Sequence, residues 1–575
     1  MQNRHLLAIS SALLLVALTA CAPAGADPVN DESAVEFPTA NRADVRGVHG
    51  AVTSDHPLAS AVGLNVLKEG GNAVDAIISM AGVLAVVRPH MNGVGGDAFG
   101  IFYDGETREV VAMNGSGRAG ALAIPAFFEA AGVDRMPANG PLSVSVPGAV
   151  AAWEDALERF GTISLAEALA PAIAYARDGF PVSTRLASDI AGGSSNLNES
   201  ARAVFTPGGN PPAVGSLLKN PALSKTLQLI AREGKQGFYH GAPAAAISRF
   251  LEGEGGYLRA PDFAAHKTTW TTPLEGSYVD HRILVMPPNT QGIAQLEMMA
   301  MAAEHDLEGM GHNSADYLHT LVELKKLAFA DRDRWVADPE HAHVPIDQLL
   351  DADYLRERAT MVGARAAEGV VSAVQGHAVT ADSHGDADDA GDTVYLTAVD
   401  QWGNGVSWIQ SLFGGFGSGL LEPETGVVLQ NRGALFTLDT EHPNVVAPGK
   451  RPYHTLTPMM ALNTDGSLAF TLGTPGGDSQ VQSLIQIVNN VFLFGMTPQQ
   501  AIEAPRFRSQ TGLRVSFEDR VPGSVLDDLA SRGHEPEVIH GWTATFGGAQ
   551  MILIESWGTL TVGSDPRREA YGMAY

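Results

Sequence analysis

The sequence predicts a mixed α+β fold from three observations. Amphipathic helical spacing recurs along the first two-thirds of the chain, short β-branched and aromatic runs interrupt it, and a strand-turn-strand pattern follows. From 58 to 87, two helical patterns (Leu58, Val62, Val66, Leu67, then Val74, Ile77, Ile78, Met80, Ala81) flank Gly70-Gly71-Asn72. The glycines end one helix and Asn72 caps the next. Helical spacing returns at 149–160, 165–178 and 314–331, and strand-like runs occupy 99–103, 109–113 and 282–286. Residues 393–399 and 405–409 flank the turn Asp400-Gln401-Trp402-Gly403-Asn404, a β-hairpin whose first strand starts at a threonine.

With 575 residues, 45% of them hydrophobic, the chain can bury a large core, and length alone suggests several domains. A formal net charge of -27, from 37 basic and 64 acidic residues, argues against nucleic acid or an anionic membrane surface as partner. Cys21 is the single cysteine, which excludes an intramolecular disulfide, a Cys-rich zinc site and a Cys-His catalytic pair in the mature body. The nucleophile is then an oxygen or a metal-bound water.

Arg4 and His5 precede an apolar run over 6–20, too short to span a bilayer as a mature helix and suited to a signal peptide. The run ends Leu18-Thr19-Ala20-Cys21, which resembles the bacterial lipoprotein box, so 1–21 is expected to be a signal ending at a lipidated Cys21. An ordinary secretory signal that contains a cysteine is the alternative. The lipoprotein reading places the protein in the periplasm or cell envelope, with membrane contact only through the lipid, and Ala22 suits outer-membrane sorting. Residues 22–44 are rich in Ala, Pro, Asp and Glu and read as a tether, with the folded body starting near Val45. A second acidic, low-complexity linker covers 381–392, directly before Thr393. A calcium-loop reading of Asp386 and Asp388 fails, because Ala390 takes the next ligand position and no glutamate closes the loop.

A threonine hydroxyl needs a base beside it to be a useful nucleophile, and the most compact base is the α-amine of the same residue, freed when the preceding peptide bond breaks. Such amines titrate at about 7.7 to 8.0, so a substantial neutral fraction exists near physiological pH. Thr393, after a linker and at the head of a strand, is placed for this role; on the hairpin alone, an ordinary β-branched strand residue is the simpler account. Gly476-Gly477 precedes Asp478, Ser479 and a helical pattern through Val481, Leu484, Ile485, Val488 and Val491. Two unshielded N–H groups at a helix start can hold an oxyanion, although a Gly-Gly pair is also a common tight turn.

Around these residues, Gly391-Asp392-Thr393-Val394-Tyr395, Asp400-Gln401-Trp402-Gly403-Asn404, Gly415-Phe416-Gly417-Ser418-Gly419, Lys450-Arg451-Pro452, Thr457-Pro458 and Gly473-Thr474-Pro475-Gly476-Gly477 together resemble the small subunit of the γ-glutamyltransferase family. Ser54-Asp55-His56-Pro57, Gly70-Gly71-Asn72-Ala73, Gly93-Val94-Gly95-Gly96-Asp97, Val146-Pro147-Gly148 and Leu327-Ala328-Phe329-Ala330-Asp331-Arg332 resemble its large subunit. The resemblance runs from about 47 to 575 in the family's order. It implies an N-terminal-nucleophile hydrolase fold, a four-layer αββα sandwich forming one composite domain. It also implies a precursor cleaved between Asp392 and Thr393 into a large subunit, 45–392, and a small subunit, 393–575, which stay associated.

The resemblance further implies Thr393 as nucleophile, Ser411 as the hydroxyl that orients it, and Gly476 and Gly477 as the oxyanion hole. Arg118, Arg432, His454 and Thr455 fall at or near its substrate-binding positions, with Arg118 expected to grip the acyl donor's carboxylate. No cofactor and no metal are expected. The function implied is hydrolysis or transfer of γ-glutamyl groups from glutathione-like amides to water or an amine acceptor. Departures qualify this. Phe413, Arg432 and Leu435 stand near positions where the family carries acceptors for the substrate ammonium, and His454 and Thr455 replace its paired serines. Asn431-Arg432-Gly433 and Pro452-Tyr453-His454-Thr455 instead resemble a branch with cephalosporin-acylase and oxamate-hydrolase relatives, so an amidohydrolase for a non-γ-glutamyl amide is the alternative. An inactive-scaffold lipoprotein that only binds peptides is the alternative of another class.

Other signals carry less. Gly93-Val94-Gly95-Gly96 lacks a Walker lysine, His341 and His343 lack a third ligand at zinc spacing, and no Gly-x-Ser-x-Gly occurs.

Overall fold

The computed structural model describes residues 40–370, 374 and 392–575. The signal peptide, Cys21, most of the tether and the acidic linker up to Gly391 lie outside the described residues.

Fourteen strands build two seven-stranded sheets. In chain order they are β1 (Val45–Gly47), β2 (Ala51–Ser54), β3 (Asp97–Tyr103), β4 (Val110–Gly115), β5 (Thr269–Thr271), β6 (Leu274–Tyr278), β7 (His281–Val285), β8 (Asp392–Val399), β9 (Gly405–Phe413), β10 (Met459–Leu462), β11 (Leu468–Gly473), β12 (Gln550–Ile554), β13 (Leu560–Ser564) and β14 (Tyr571–Ala574). One sheet has the order β14-β2-β8-β9-β3-β4-β5, the other β1-β13-β12-β11-β10-β7-β6. Each sheet mixes strands from before and after Thr393, so neither part of the sequence completes a sheet without the other.

Side chains alternate along β8. Val394, Leu396 and Ala398 enter the core shared with the helices α1 (Pro57–Lys68), α2 (Ala73–Val87), α3 (Ala149–Phe160), α4 (Leu165–Asp178) and α5 (Pro221–Tyr239). Tyr395 and Val399 enter a second core with Phe99, Ile101, Met460, Leu462 and Ile552, between the sheets. Strands buried on both faces need apolar residues at both parities, which is why 393–399 reads as a continuous run and not an alternating one. The helices α6 (Gly292–Ala302) and α8 (Ser479–Phe492) pack on the other sheet, and α7 (Ala315–Trp335) packs on α6. The result is the α-β-β-α order of an N-terminal-nucleophile hydrolase.

Most predicted elements fall where the pattern put them. Asn72 forms a capping box with Asp75 and opens α2, and Gly70, at φ +97°, ends the helix before it. The differences are at ends. β9 continues four residues past Ile409 to Phe413, through the polar Gln410 and Ser411. Gln410 is tolerated inside because its side chain accepts from the indoles of Trp153 and Trp408 and donates to Ala81 O. That extension sets Ser411 opposite Thr393.

Candidate active site

Thr393 has the odd parity of Tyr395 and Thr397 and so faces the gap between sheets. Thr397 Oγ1 meets Thr471 Oγ1 at 2.6 Å, and two residues back a Cβ on Gly473 would enter the Tyr395 ring. Another two-residue step carries Thr393 toward the Thr474-Pro475-Gly476-Gly477 turn at the end of β11. Only glycine takes this turn without strain: Gly476 sits at φ +130° and Gly477 at φ +55°. The Gly476 carbonyl accepts from Ser479 N at 3.0 Å and the Gly477 carbonyl from Gln291 Nε2 at 3.1 Å. Among the described residues neither glycine N–H has a protein acceptor. Asp478 does not cap α8, because Arg332 Nη1 holds its carboxylate at 2.9 Å, so the start of the helix stays open to an anion.

The Ser411 hydroxyl is the hub. It accepts from Thr393 Oγ1 at 2.9 Å, from Phe413 N at 2.7 Å and from Arg432 Nη2 at 3.1 Å, and donates to the Asp392 carbonyl at 2.9 Å. The hydroxyl of Thr393 and the carbonyl of the peptide bond preceding it therefore share one partner. Thr393 itself is 1% exposed.

Arg432 is fully buried, donates its Nη1 to Thr455 Oγ1 at 3.1 Å, and lies over the Phe413 ring at 4.4 Å. Among the described residues no carboxylate lies within ion-pair distance of it, and its Nε has no hydrogen-bond partner. Burial pushes its pKa down to about 9, against the charge of Asp97, so it stays a cation at neutral pH. Phe413 and Leu435 pack together with Tyr453 in an apolar cluster beside it.

His454 lies below this floor, its Nε2 at 3.1 Å from Asp97 Oδ2 and its ring edge-on to Phe99. Burial holds the imidazole neutral, its pKa well below the usual histidine range, so Nε2 donates to an Asp97 that also accepts from Gly117 N and Gln430 Nε2. Burial also pushes Asp97 up to about 6. Thus Thr393, Ser411, Arg432 and Thr455 come together, and His454 supports them from a distance.

Arg118 is engaged by other partners in the structure. Its guanidinium donates to Glu340 Oε1 and to the Gly449 carbonyl, both at 2.9 Å, and lies 3.6 Å from Asp338. It shares no hydrogen-bond partner with Thr393, Ser411 or Arg432. Glycines 95 and 96 are structural: a Cβ on either would enter the backbone of Val428 or Ser411.

Sequence reasoning passed over Asp97, Gln291 and Arg568, the last of which pairs with the Asp392 carboxylate at 3.0 Å. Asp97 and Arg568 do lie in recognisable runs, Gly95-Gly96-Asp97 and Asp565-Pro566-Arg567-Arg568, but nothing local links them to a threonine so distant in sequence. Of the described residues, His319, Glu323 and His534 also cluster, their ligand atoms within 4.8 Å. The two imidazoles meet at 2.8 Å, and Glu323 accepts from Lys326 Nζ at 2.7 Å and Ala367 N at 3.0 Å.

A family model described as gamma-glutamyltranspeptidase matches residues 59–575. The chain is 36% identical over 536 residues to the glutathione hydrolase-like YwrD proenzyme of Bacillus subtilis, covering 91% of this chain and 98% of that one. It is 33% identical over 540 residues to the oxamate amidohydrolase proenzyme of Klebsiella pneumoniae, with 92% and 98% covered. The crystal structure of cephalosporin acylase from Bacillus halodurans superimposes with a TM-score of 0.86 at 33% identity, over 95% of this chain and 99% of that one.

The buried Asp97 makes a testable contribution to stability. Its folded pKa of about 6 exceeds the ordinary 3.8, so the native state holds the proton more tightly than the unfolded chain. That contribution, on the order of 3 kcal/mol, is complete below the unfolded value and is lost as pH rises through about 6. Asp97→Asn should flatten the corresponding part of the melting temperature against pH, measured from pH 4.5 to 7.5. An unchanged profile would show that Asp97 stays ionised throughout.

Proposed function

The chain belongs to the γ-glutamyltranspeptidase family and is an N-terminal-nucleophile amidohydrolase, and within that family we propose that it is a self-processing threonine enzyme whose acyl donors carry a carboxylate near the scissile amide. The observation that carries this reading is Arg432: a buried cation, two hydrogen bonds from the nucleophile, with no carboxylate at ion-pair distance among the described residues. A donor carboxylate supplies the missing anion.

In maturation, Thr393 Oγ1 attacks the Asp392 carbonyl carbon, its proton passing by way of Ser411 to the departing Thr393 nitrogen. The resulting ester takes up water, leaving a carboxyl group on Asp392 and a free amine on Thr393. Burial supports this order of events, because a hydroxyl that is 1% exposed meets no external amide until the chain before it is severed. In turnover, the new α-amine takes the Thr393 proton as the hydroxyl attacks the donor carbonyl. The Gly476 and Gly477 N–H groups hold the oxyanion, the leaving amine takes the proton, and water or an amine releases the acyl group.

Phe413 and Leu435 offer no acceptor to a donor ammonium, so the favoured substrates are monoamides of short dicarboxylic acids, of the oxamate or glutaryl type. Oxamate is the substrate in the name of one relative, and an acylase is another. γ-Glutamyl amides such as glutathione are the second reading, since they share the carboxylate and since other relatives are glutathione hydrolases.

Purified protein should run as two fragments, and Thr393→Ala as one full-length band without turnover. A single uncleaved, inert wild-type chain would instead favour a binding protein on an enzyme scaffold. Arg432→Met should lower kcat/KM on carboxylate-bearing donors about 10- to 100-fold more than on neutral amides, the effect of one charge-assisted hydrogen bond. Arg118→Ala, on a guanidinium committed to Glu340, should leave that ratio within about twofold. Equal losses on both donor types with Arg432→Met, or a strong preference for γ-glutamyl amides, would remove the proposed specificity.

The Leu18-Thr19-Ala20-Cys21 box supports lipidation and attachment to the cell envelope. Cys21→Ser should move the enzyme from the membrane to the soluble fraction, and unchanged fractionation would refute the anchor.

A further inference from the structure

The β8–β9 ladder is regular from Val399↔Gly405 to Thr393↔Ser411, and then it breaks. Asp392 pairs with Phe413 and Leu412 is skipped, so the irregularity falls on the 392–393 peptide bond. Phe413, on the facing strand, sits at φ +81°, a conformation an aromatic residue rarely takes. The ladder that fixes Thr393 therefore fixes Asp392 poorly, although the attack requires its carbonyl carbon to be held against the Thr393 hydroxyl.

A side chain supplies the missing restraint. Arg568 Nη1 binds Asp392 Oδ1 at 3.0 Å, and the arginine side chain is 3% exposed. Its own position is rigid. The neighbouring Arg567 is clamped by Glu518 Oε1 at 2.7 Å and by Asp565 Oδ1 at 3.2 Å, and a Cβ on Gly548 would land on the Arg568 stem. Asp392 is thus held at two points, its carboxylate by Arg568 and its carbonyl by the Ser411 hydroxyl at 2.9 Å. Two anchors on one residue restrict rotation of the acyl group that the nucleophile must reach.

We propose that Arg568 is a positioning residue for self-cleavage, binding the Asp392 side chain so that the scissile carbonyl stays on Ser411 and within reach of Thr393 Oγ1. This rests on the reading of Thr393 as the self-cleaving residue. Arg568 moves no proton and forms no bond. The Thr393 oxygen bonds to the Asp392 carbon, the carbon–nitrogen bond breaks, and the hydroxyl proton goes to the nitrogen; Arg568 holds the acyl half while this happens.

Pulse-labelled cell-free synthesis of the full chain, followed as one band becomes two, measures the cleavage rate directly. Arg568→Ala and Asp392→Asn should each slow it about 10- to 100-fold, and the double variant should be no slower than the slower single one. Arg568→Lys should recover part of the rate. Added methylguanidinium should speed Arg568→Ala but not Asp392→Asn, a rescue that a purely structural role would not give. Cleavage of Arg568→Ala at the wild-type rate, or effects that multiply in the double variant, would overturn the proposal. Melting of Arg568→Ala in a Thr393→Ala chain checks folding. If that chain is unfolded, Asp392→Asn decides alone: slowed cleavage supports the pair and a wild-type rate refutes it. A wild-type chain that never cleaves would refute the threonine reading itself.

Discussion

The site depends on one contact, the hydrogen bond between the Thr393 and Ser411 hydroxyls across the β8–β9 hairpin. Its existence is a matter of register. With a side-chain period of two, a slip of one residue would turn Thr393 toward the helices and set it opposite Gln410 or Leu412. The register is fixed by residues far from the chemistry. Asp400 closes the hairpin turn by accepting from Trp402 N at 2.9 Å and Asn404 N at 3.0 Å, and Gln410 is held by the indole of Trp153 on α3 at 3.0 Å. The packing of two sheets and the placement of a nucleophile are the same constraint.

Charge around that contact is arranged asymmetrically. Arg432 is buried, stacked on Phe413 and tied to two hydroxyls, yet its nearest formal counter-charge, Asp97, is already engaged by His454, Gly117 and Gln430. A buried cation without a direct partner is costly, and a cost kept next to a nucleophile is informative because a bound anion would relieve it. By contrast Arg118, Arg451 and Glu340 form a closed group, with Glu340 accepting from both guanidiniums. Closed groups hold a fold together; an open one recognises a ligand.

The sequence made the elements and the nucleophile legible for different reasons. Helices 73–87, 149–160 and 165–178 announce themselves through spacing and caps, because their cues are local. Thr393, Ser411, Gly476 and Gly477 are legible as a proposed site only through ordered motifs, and spacing alone leaves Thr393 an ordinary strand residue. What escaped was long-range. The partner of Arg118 in the structure, Glu340, lies 222 residues away, and no local cue points to it. The end of β9 was missed because Gln410 and Ser411 look like surface residues until their partners are known. Arg568 stood at the far end of the chain, and nothing in its neighbourhood points to Asp392.

On the proposed reading of Thr393, the intact chain also accounts for how one hydroxyl serves two reactions. Before cleavage, Ser411 touches both the attacking oxygen and the carbonyl to be attacked, so the first electrophile is delivered by the fold at high effective concentration and needs no binding energy. That same contact consumes the site: while Asp392 remains joined, its carbonyl occupies the Ser411 proton and no external amide can replace it. Breaking the bond frees the Ser411 hydroxyl, converts an inert amide nitrogen into a base of ordinary amine strength, and leaves Arg432 where it was. On that reading the second reaction inherits its nucleophile and its cation from the precursor and gains its base only by completing the first, so activity and integrity of the chain exclude each other.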